Sequence, residues 1–524
     1  MPERPTACWS SASLFALSMT TLGHAIQIGD GQLGQRPYPA IAWLTIAIVT
    51  AALAMFLPNL RRIDRRGFRI IVAFCLLANV VQLALKPPDH YLGAHRLNWL
   101  TPFTLEVLVV AALLGLALLR EGAFRGCLFG AALMVMVFMG HWTITNSPKP
   151  RIDVYAFQKD AAAALMRGEN PFGITIANIY GLGENYYGEG LVKDGQLHIG
   201  YPYTPETLFA IMPATWLHID LRYSQLAAML LSAVLIAAAR PDLLGFSAAI
   251  LFLTMPRFFF VLEMSWTEPF AVLTLAATVA CALRWPRMLP VALGLFLGSK
   301  QYAPIGVILF FVGSRTPREA AGVLIRACIV ALVLTLPLAL WNLPAFYRSV
   351  IQFQIRQPFR PDSLSYLAWV GEGFWPKPAL VLVPLAVLLL SMGTVLWRRR
   401  SVGFAAAIAL CLLLFFAFSK QAFANYYFFI IGAMACAMVD DAWAFGADFI
   451  TRLAVAPQGH LLRGDAEKVL LPPPRNNLTI VPNPSGCGSA LSHDESPHER
   501  MSCTATAARR YADLLRIDRS LEIT

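Results

Sequence analysis

The sequence predicts an all-α protein, a polytopic transmembrane helical bundle of about twelve to fourteen spans with two long extracytoplasmic loops. Three observations predict it. Of 524 residues, 57% belong to the hydrophobic set and only 14% are charged, with a mean hydropathy of +0.58, where a soluble domain carries about 25% charged residues. Apolar runs near membrane-spanning length recur from about residue 10 to residue 439, which fits one membrane bundle better than a string of soluble domains. The Lys and Arg residues behind the net charge of +11 are dispersed in short loops between those runs, a placement that orients a membrane protein and does not form a nucleic-acid stripe. An ordinary soluble enzyme is excluded. Membrane lipid is an expected partner and nucleic acid is not.

The elements follow in order. A moderately apolar stretch reaching residue 28 reads as a retained first helix, because no small-residue cleavage site follows it. After the run 40–57 comes PNLRRIDRRGFR, with five arginines against one aspartate, which the positive-inside rule places in the cytoplasm. From there KPPDHYLGAHRLNW lies outside, REGAFR returns inside, and the helix from about 127 to 143 delivers the chain outside again. Residues 145–204 then form a long polar, Gly- and Tyr-rich extracytoplasmic loop, of a length that is usually functional or disordered. The run 204–219 is short and holds Pro205 and Pro213; it is either a span or a juxtamembrane helix, and the second is preferred. Spans at 223–239, 246–261 and 270–283 follow. Parity then divides 289–312 into two short helices meeting at 299–301, with Lys300 facing outward. Residues 322–340 lead to a second outer loop, 341–378, and 379–397 ends inside at three consecutive arginines. The pair 402–418 and 423–439 is joined on the outer side by SKQAFANYY.

Four regions result: N-terminal transmembrane helices over 1–144, a catalytic outer loop over 145–204, a transmembrane core over 205–440, and a cytoplasmic tail over 441–524 that is polar, Pro-containing and expected to be disordered. Asn477, in a formal glycosylation sequon, falls on that inner tail, where it is not used. The nine cysteines contain no C-x-x-C pair and sit mostly in apolar runs, so neither disulfides nor a zinc site are expected. His141, His198 and His218 lack ligand spacing. No sequence repeat and no matching pair of broken helices is visible, which weakens a transporter reading.

With this sidedness, polar groups from five separated parts of the chain gather on one membrane face: Asp153, Lys159, Asp160 and Glu206; Glu263 and Glu268; Lys300 and Gln301; Arg348 and Arg356; and residues 420–425. Ionisable side chains near the bilayer are costly without a partner, substrate or water, so they are site candidates. Each has a plainer explanation. Asp153 has the chemistry of a helix cap, Asn170-Pro171 of a helix stop, Trp266 of an interfacial anchor, Arg222 of a helix start. Lys300 and Lys420 each stand in an S-K-Q tripeptide, where snorkelling to headgroups is the alternative to lipid-phosphate contact.

The sharpest signal is RIDVYAFQKDAAAALMRGENPFG from Arg151, followed by YPYTPE from Tyr201. The pattern D-x-Y, an Ala-rich helix, then G-x-N-P-[YF] resembles the start of the catalytic region in GT-C-type membrane glycosyltransferases, above all family 87, the polyprenol-phosphate-mannose-dependent α-mannosyltransferases. IDLRYSQL, PRFFFVLEMSWTEP, GSKQYAP and SKQAFANYYFF match in style and order, so that the resemblance covers about residues 150–430. Family members commonly carry the aspartate after their first span; here about four further helices precede it.

The resemblance implies a GT-C-like bundle in the bacterial plasma (inner) membrane with its active site facing outward. It implies transfer of a sugar, mannose foremost, from a polyprenyl-phosphate donor to a hydroxyl of a glycolipid or glycan acceptor, with inversion. Asp153 matches the general base. Lys300, Lys420 and Arg257 are candidates for the donor phosphate. Tyr155, Tyr203, Glu206, Glu263, Glu268, Gln301, Gln421, Asn425 and Tyr426 are candidates for contacts to substrate. Asp153 stands in Ile-Asp-Val and not in D-x-D, so no cofactor is expected; a divalent metal, which some GT-C relatives hold with an acidic residue near Pro where Glu206 stands, is the alternative that no D-x-D motif supports. A transporter or flippase of a lipid-linked saccharide is the competing reading, and a polar path across the whole bilayer would distinguish it.

Overall fold

A computed structural model describes residues 6–56, 63–91, 102–181, 186–188, 190–314, 316–398 and 402–440. All lie within the first of the two units into which the chain divides, Met1–Ala456. The tail 441–524 and Asn477 lie outside the described residues.

The protein is an all-α, multi-pass membrane protein, 74% helical. Five N-terminal helices come first: α1 (Thr6–Gly29), α2 (Pro37–Phe56), α3 (Arg65–Leu85), α4 (Pro102–Leu119) and α5 (Gly122–Asn146). The first long loop folds around α6 (Asp153–Met166) and three two-residue strands, β1 (Ile176–Ala177), β2 (Val192–Lys193) and β3 (Gln196–Leu197), paired antiparallel in the order β1-β3-β2. Then come α7 (Pro205–Trp216), α8 (Arg222–Ala239), α9 (Leu243–Leu253), α10 (Phe258–Glu263), α11 (Glu268–Arg284), α12 (Leu289–Ser299), α13 (Ile305–Gly313) and α14 (Pro317–Trp341). The second long loop holds α15 (Leu343–Phe346), a π-helical turn at Tyr347–Gln352, α16 (Phe353–Arg356) and α17 (Tyr366–Val370), and the chain returns through α18 (Ala379–Trp397), α19 (Phe404–Ala417) and α20 (Ala424–Val439).

Seven of these, α2 to α5, α8, α14 and α18, are long and apolar enough to cross a membrane. Their outer faces say the same. Leu105, Leu108, Leu116 and Leu119 on α4, Ile325, Ile329 and Val333 on α14, and Leu382, Leu389 and Leu390 on α18 are exposed. Apolar faces of this extent are stable against lipid and not against water. By contrast α20 is buried along nearly its whole length, packed on α1, α19, α11 and α9, and forms the centre of the main core with α9 and α19.

Breaks in the helices position the site. The run 289–312 divides as expected: Lys300 has an extended backbone after α12, and Pro304 caps α13. The run 246–261, read as one span, is two helices. Pro256 and Arg257, the latter at φ 68°, separate α9 from α10, because proline disrupts the helical ladder and a left-handed residue turns the chain. At Gly31 (φ +78°) a Cβ would strike the backbone of Ala424, so glycine there lets the α1–α2 turn sit against the start of α20.

Candidate functional site

Asp153 is the first helical residue of α6, after Ile152 as N-cap. A capping side chain accepts from N–H groups two or three positions on; the Asp153 Oδ1 accepts only from the adjacent Val154 N, at 2.8 Å. Its Oδ2 accepts from the Tyr187 hydroxyl at 3.1 Å, while its own N–H donates to the Tyr180 hydroxyl at 3.3 Å. The residue is half-buried. Burial raises its proton affinity above the ordinary carboxylate value, against the opposing effects of the Tyr187 and Val154 hydrogen bonds and the Arg360 charge. Both phenols are pushed well up by burial and by the neighbouring carboxylate, so they remain hydrogen-bond donors beside it. The rings of Tyr180 and Tyr186 lie 4.4 Å apart, and Tyr187 is 6.0 Å from Tyr180. Asp153 thus lies in a recess walled by tyrosines.

The first loop is held by α5, α8 and the second loop. Arg222, with no exposed surface, takes Asp220 through Nε and Nη2 at 2.9 and 2.8 Å and reaches Ser147 at the end of α5. Tyr155 lies under that guanidinium, 5.6 Å from its ring, and its hydroxyl is 3.5 Å from Asp220. It belongs to this anchor and makes no hydrogen bond to Asp153. Beneath α6, the buried Gln158 and Gln225 side chains donate to the Ser265 carbonyl at 2.6 and 2.9 Å. Gly200 N donates to Ser349 Oγ at 3.0 Å, tying the two long loops together.

A second group forms at the helix breaks. Lys300 Nζ donates to Glu268 Oε1 at 2.7 Å, and Asn425 Nδ2 to the same oxygen at 3.0 Å. Lys300 and Glu268 are 4% and 1% exposed, so this is a buried ion pair and not a snorkelling lysine. The ammonium lies 4.7 Å from the centre of the Tyr203 ring, and Gln301 Nε2 donates to the Pro202 carbonyl at 2.8 Å. Tyr426 packs on Phe416. Glu268 Oε2 and the Tyr302 hydroxyl are buried with no hydrogen-bond partner among the described residues, as is Glu206 Oε2 on α7, beside Gly298.

Arg257 stands elsewhere. It pairs with Asp30, which also accepts from Lys86 Nζ at 2.6 Å, and its Nη1 donates to the Pro87 carbonyl at 3.3 Å. Glu263 is buried in the same cluster, accepting from Tyr91 N at 2.6 Å and His90 N at 3.3 Å. Glu263 and Glu268 therefore do not form an acidic pair. Tyr91 carries the cluster to the recess: its hydroxyl donates to the Arg151 carbonyl at 2.8 Å, and with Trp266 and Ile152 it packs on Phe260 and Met264. The N-terminal helices thereby supply one wall.

The second S-K-Q holds the second long loop. Lys420 Nζ donates to the Ile355 and Gln357 carbonyls at 3.1 and 2.6 Å, and Gln421 Nε2 to the Pro358 carbonyl at 2.9 Å. Arg348 and Arg356 are exposed. Sequence reasoning missed Tyr180, Tyr187, Tyr91 and Arg360. The tyrosine density of residues 180–187 was the available signal for two of them; Arg360 lies between prolines in the loop it had not resolved further. Among the described residues no three His, Cys, Asp or Glu side chains are grouped to hold a metal ion. Comparison of the chain with family models, with curated proteins and with solved structures returns no match.

Proposed function

We propose that this protein is an inverting glycosyltransferase of the GT-C type, similar to family 87. It moves a sugar, mannose foremost, from a polyprenyl-phosphate donor to a hydroxyl of a glycolipid or glycan acceptor, with Asp153 as general base. The observation that carries the reading is the state of that carboxyl: half-buried among tyrosines, oriented by Tyr187, and raised in proton affinity by desolvation. A base so poised takes a proton more readily than an exposed aspartate does.

The step balances. The acceptor oxygen bonds to the anomeric carbon on the face opposite the phosphate as its proton passes to Asp153. The anomeric C–O bond breaks, and polyprenyl phosphate leaves with the electron pair. Opposite-face attack inverts the centre, and the developing phosphate charge calls for fixed cations. Of the three cations expected from sequence, Lys420 has no carboxylate partner among the described residues, whereas Lys300 faces Glu268 and Arg257 faces Asp30. Lys300 and Arg257 then act chiefly by holding the walls, with Tyr203, Gln301, Asn425 and Tyr426 on one side and Glu263 on the other. Glu206 and Gln421 remain candidates for substrate contact. No metal is used in this mechanism.

The arginine-rich loops after residues 57, 119 and 397 support an orientation with the Asp153 recess outward and the tail 441–524 inside, in a bundle that we read as twelve to fourteen spans in a bacterial plasma membrane. The test of the reaction class is incubation of purified protein in lipid with labelled polyprenyl-phosphate mannose, glucose or arabinose and total glycolipid. Transfer from one of them is expected; failure with all three by folded protein removes the reading.

A further inference from the structure

We propose that Arg360, with Lys420 beside it, forms an anion site on the rim of the Asp153 recess that takes the single negative charge of a lipid-linked phosphodiester. The inference rests on the transferase reading above and deepens it by naming the group that meets the donor phosphate.

Arg360 differs from the other buried or half-buried cations here. Its Nε and Nη2 grip Asp362 in a fork at 2.9 and 2.7 Å, but no described residue accepts from its Nη1, and the side chain keeps 18% of its surface exposed. The guanidinium lies 4.6 Å from the Tyr186 ring centre and 4.9 Å from that of Phe423, so it is fixed before any ligand arrives. A planar, pre-oriented fork with one free edge suits phosphate oxygens. From Tyr186 the contact path runs through the Tyr180 ring to the Asp153 backbone, so the free edge stands two aromatic rings from the carboxyl.

Lys420 completes the charge. Arg360 N donates to the Lys420 carbonyl at 3.1 Å, and among the described residues the Lys420 ammonium donates to the Ile355 and Gln357 carbonyls and to no carboxylate. Two cations against Asp362 leave one positive charge, which one phosphodiester neutralises. The buried Lys300–Glu268 pair leaves no such excess, and Arg257 and Lys86 share Asp30 with Glu263 in the same cluster.

The test is titration of purified protein in nanodiscs with farnesyl methyl phosphate, a phosphodiester of one negative charge, followed by tryptophan fluorescence, with farnesol and inorganic phosphate as controls. Wild type is expected to bind farnesyl methyl phosphate well above farnesol. Arg360→Gln and Lys420→Gln should each weaken it by about tenfold or more, Arg360→Lys by less, and exposed Lys193→Gln not at all. Asp362→Asn, which frees the fork, should hold or tighten binding. Inorganic phosphate competing as well as farnesyl methyl phosphate would make this a free-phosphate site and overturn the lipid-linked assignment. Wild-type affinity in Arg360→Gln, or in Arg360→Lys and Asp362→Asn should Arg360→Gln not fold, overturns the proposal. Binding needs no catalysis: Arg360-dependent binding without sugar transfer keeps the anion site and removes the transferase, and Asp153-dependent transfer with Arg360-independent binding does the reverse.

Discussion

The Asp153 carboxyl gives one oxygen to Tyr187 and the other to a backbone N–H, and burial still outweighs both in setting its proton affinity. The linkage has a definite sign. A carboxyl whose folded pKa is raised contributes stability that is present below its unfolded pKa and lost as pH rises through the folded value. Asp153→Asn lacks that loss, so its melting temperature relative to wild type should rise as pH increases from below the ordinary carboxylate range and level off once the folded Asp153 is ionised, in thermal unfolding in detergent. Catalysis should move the opposite way. The base must be ionised, so the acid limb of the kcat/KM profile is expected above the ordinary carboxylate range. Tyr187→Phe removes a hydrogen bond to the ionised form and should shift that limb to still higher pH. The D-x-Y pattern made Asp153 legible in the sequence. Its tyrosine neighbours were not, because they come from a loop whose only regular structure is three two-residue strands, below any periodicity a sequence displays.

At the scale of elements, the helix breaks decide which groups meet. Breaking a buried pair by removing one partner costs about 3–5 kcal/mol, whereas replacing both is often close to neutral. Lys300→Met should therefore lower the melting temperature strongly, and Lys300→Met with Glu268→Gln should recover much of it. Equal losses in the single and double variants would show that the pair is not the reason. Gly31→Ala joins a left-handed backbone to a clash with Ala424 and should cost more than about 1 kcal/mol, read by the same unfolding assay. The break at Lys300 was legible because charged loops on both sides demanded an even number of passes. The break at Arg257 was not: the run 246–261 is continuously apolar apart from a few residues, and Pro256 alone did not outweigh its length. The sequence therefore groups Arg257 with Lys300 and Lys420 as a candidate for the donor phosphate, while the fold carries it to Asp30 and Lys86 at the ends of α1 and α3.

Over the whole molecule, the multi-pass helical class followed from composition and loop charge alone, since lipid leaves little alternative to helices for so apolar a chain. The part played by α1 to α5 did not. Nothing in the motif set reaches before residue 150, yet Tyr91 donates to the Arg151 carbonyl, two residues before Asp153. Sidedness is open to direct measurement. A cysteine placed at exposed Lys193 should react with membrane-impermeant maleimide in intact cells, and one at exposed Arg66 should react only after permeabilisation; the reverse pattern would invert the topology and put the recess on the cytoplasmic side. The most direct test of the central claim is sugar transfer from the active polyprenyl-phosphate donor by wild type and Asp153→Asn side by side. Loss of about 10²- to 10⁴-fold in turnover with the fold intact is the predicted result; wild-type turnover in the folded Asn protein would contradict it.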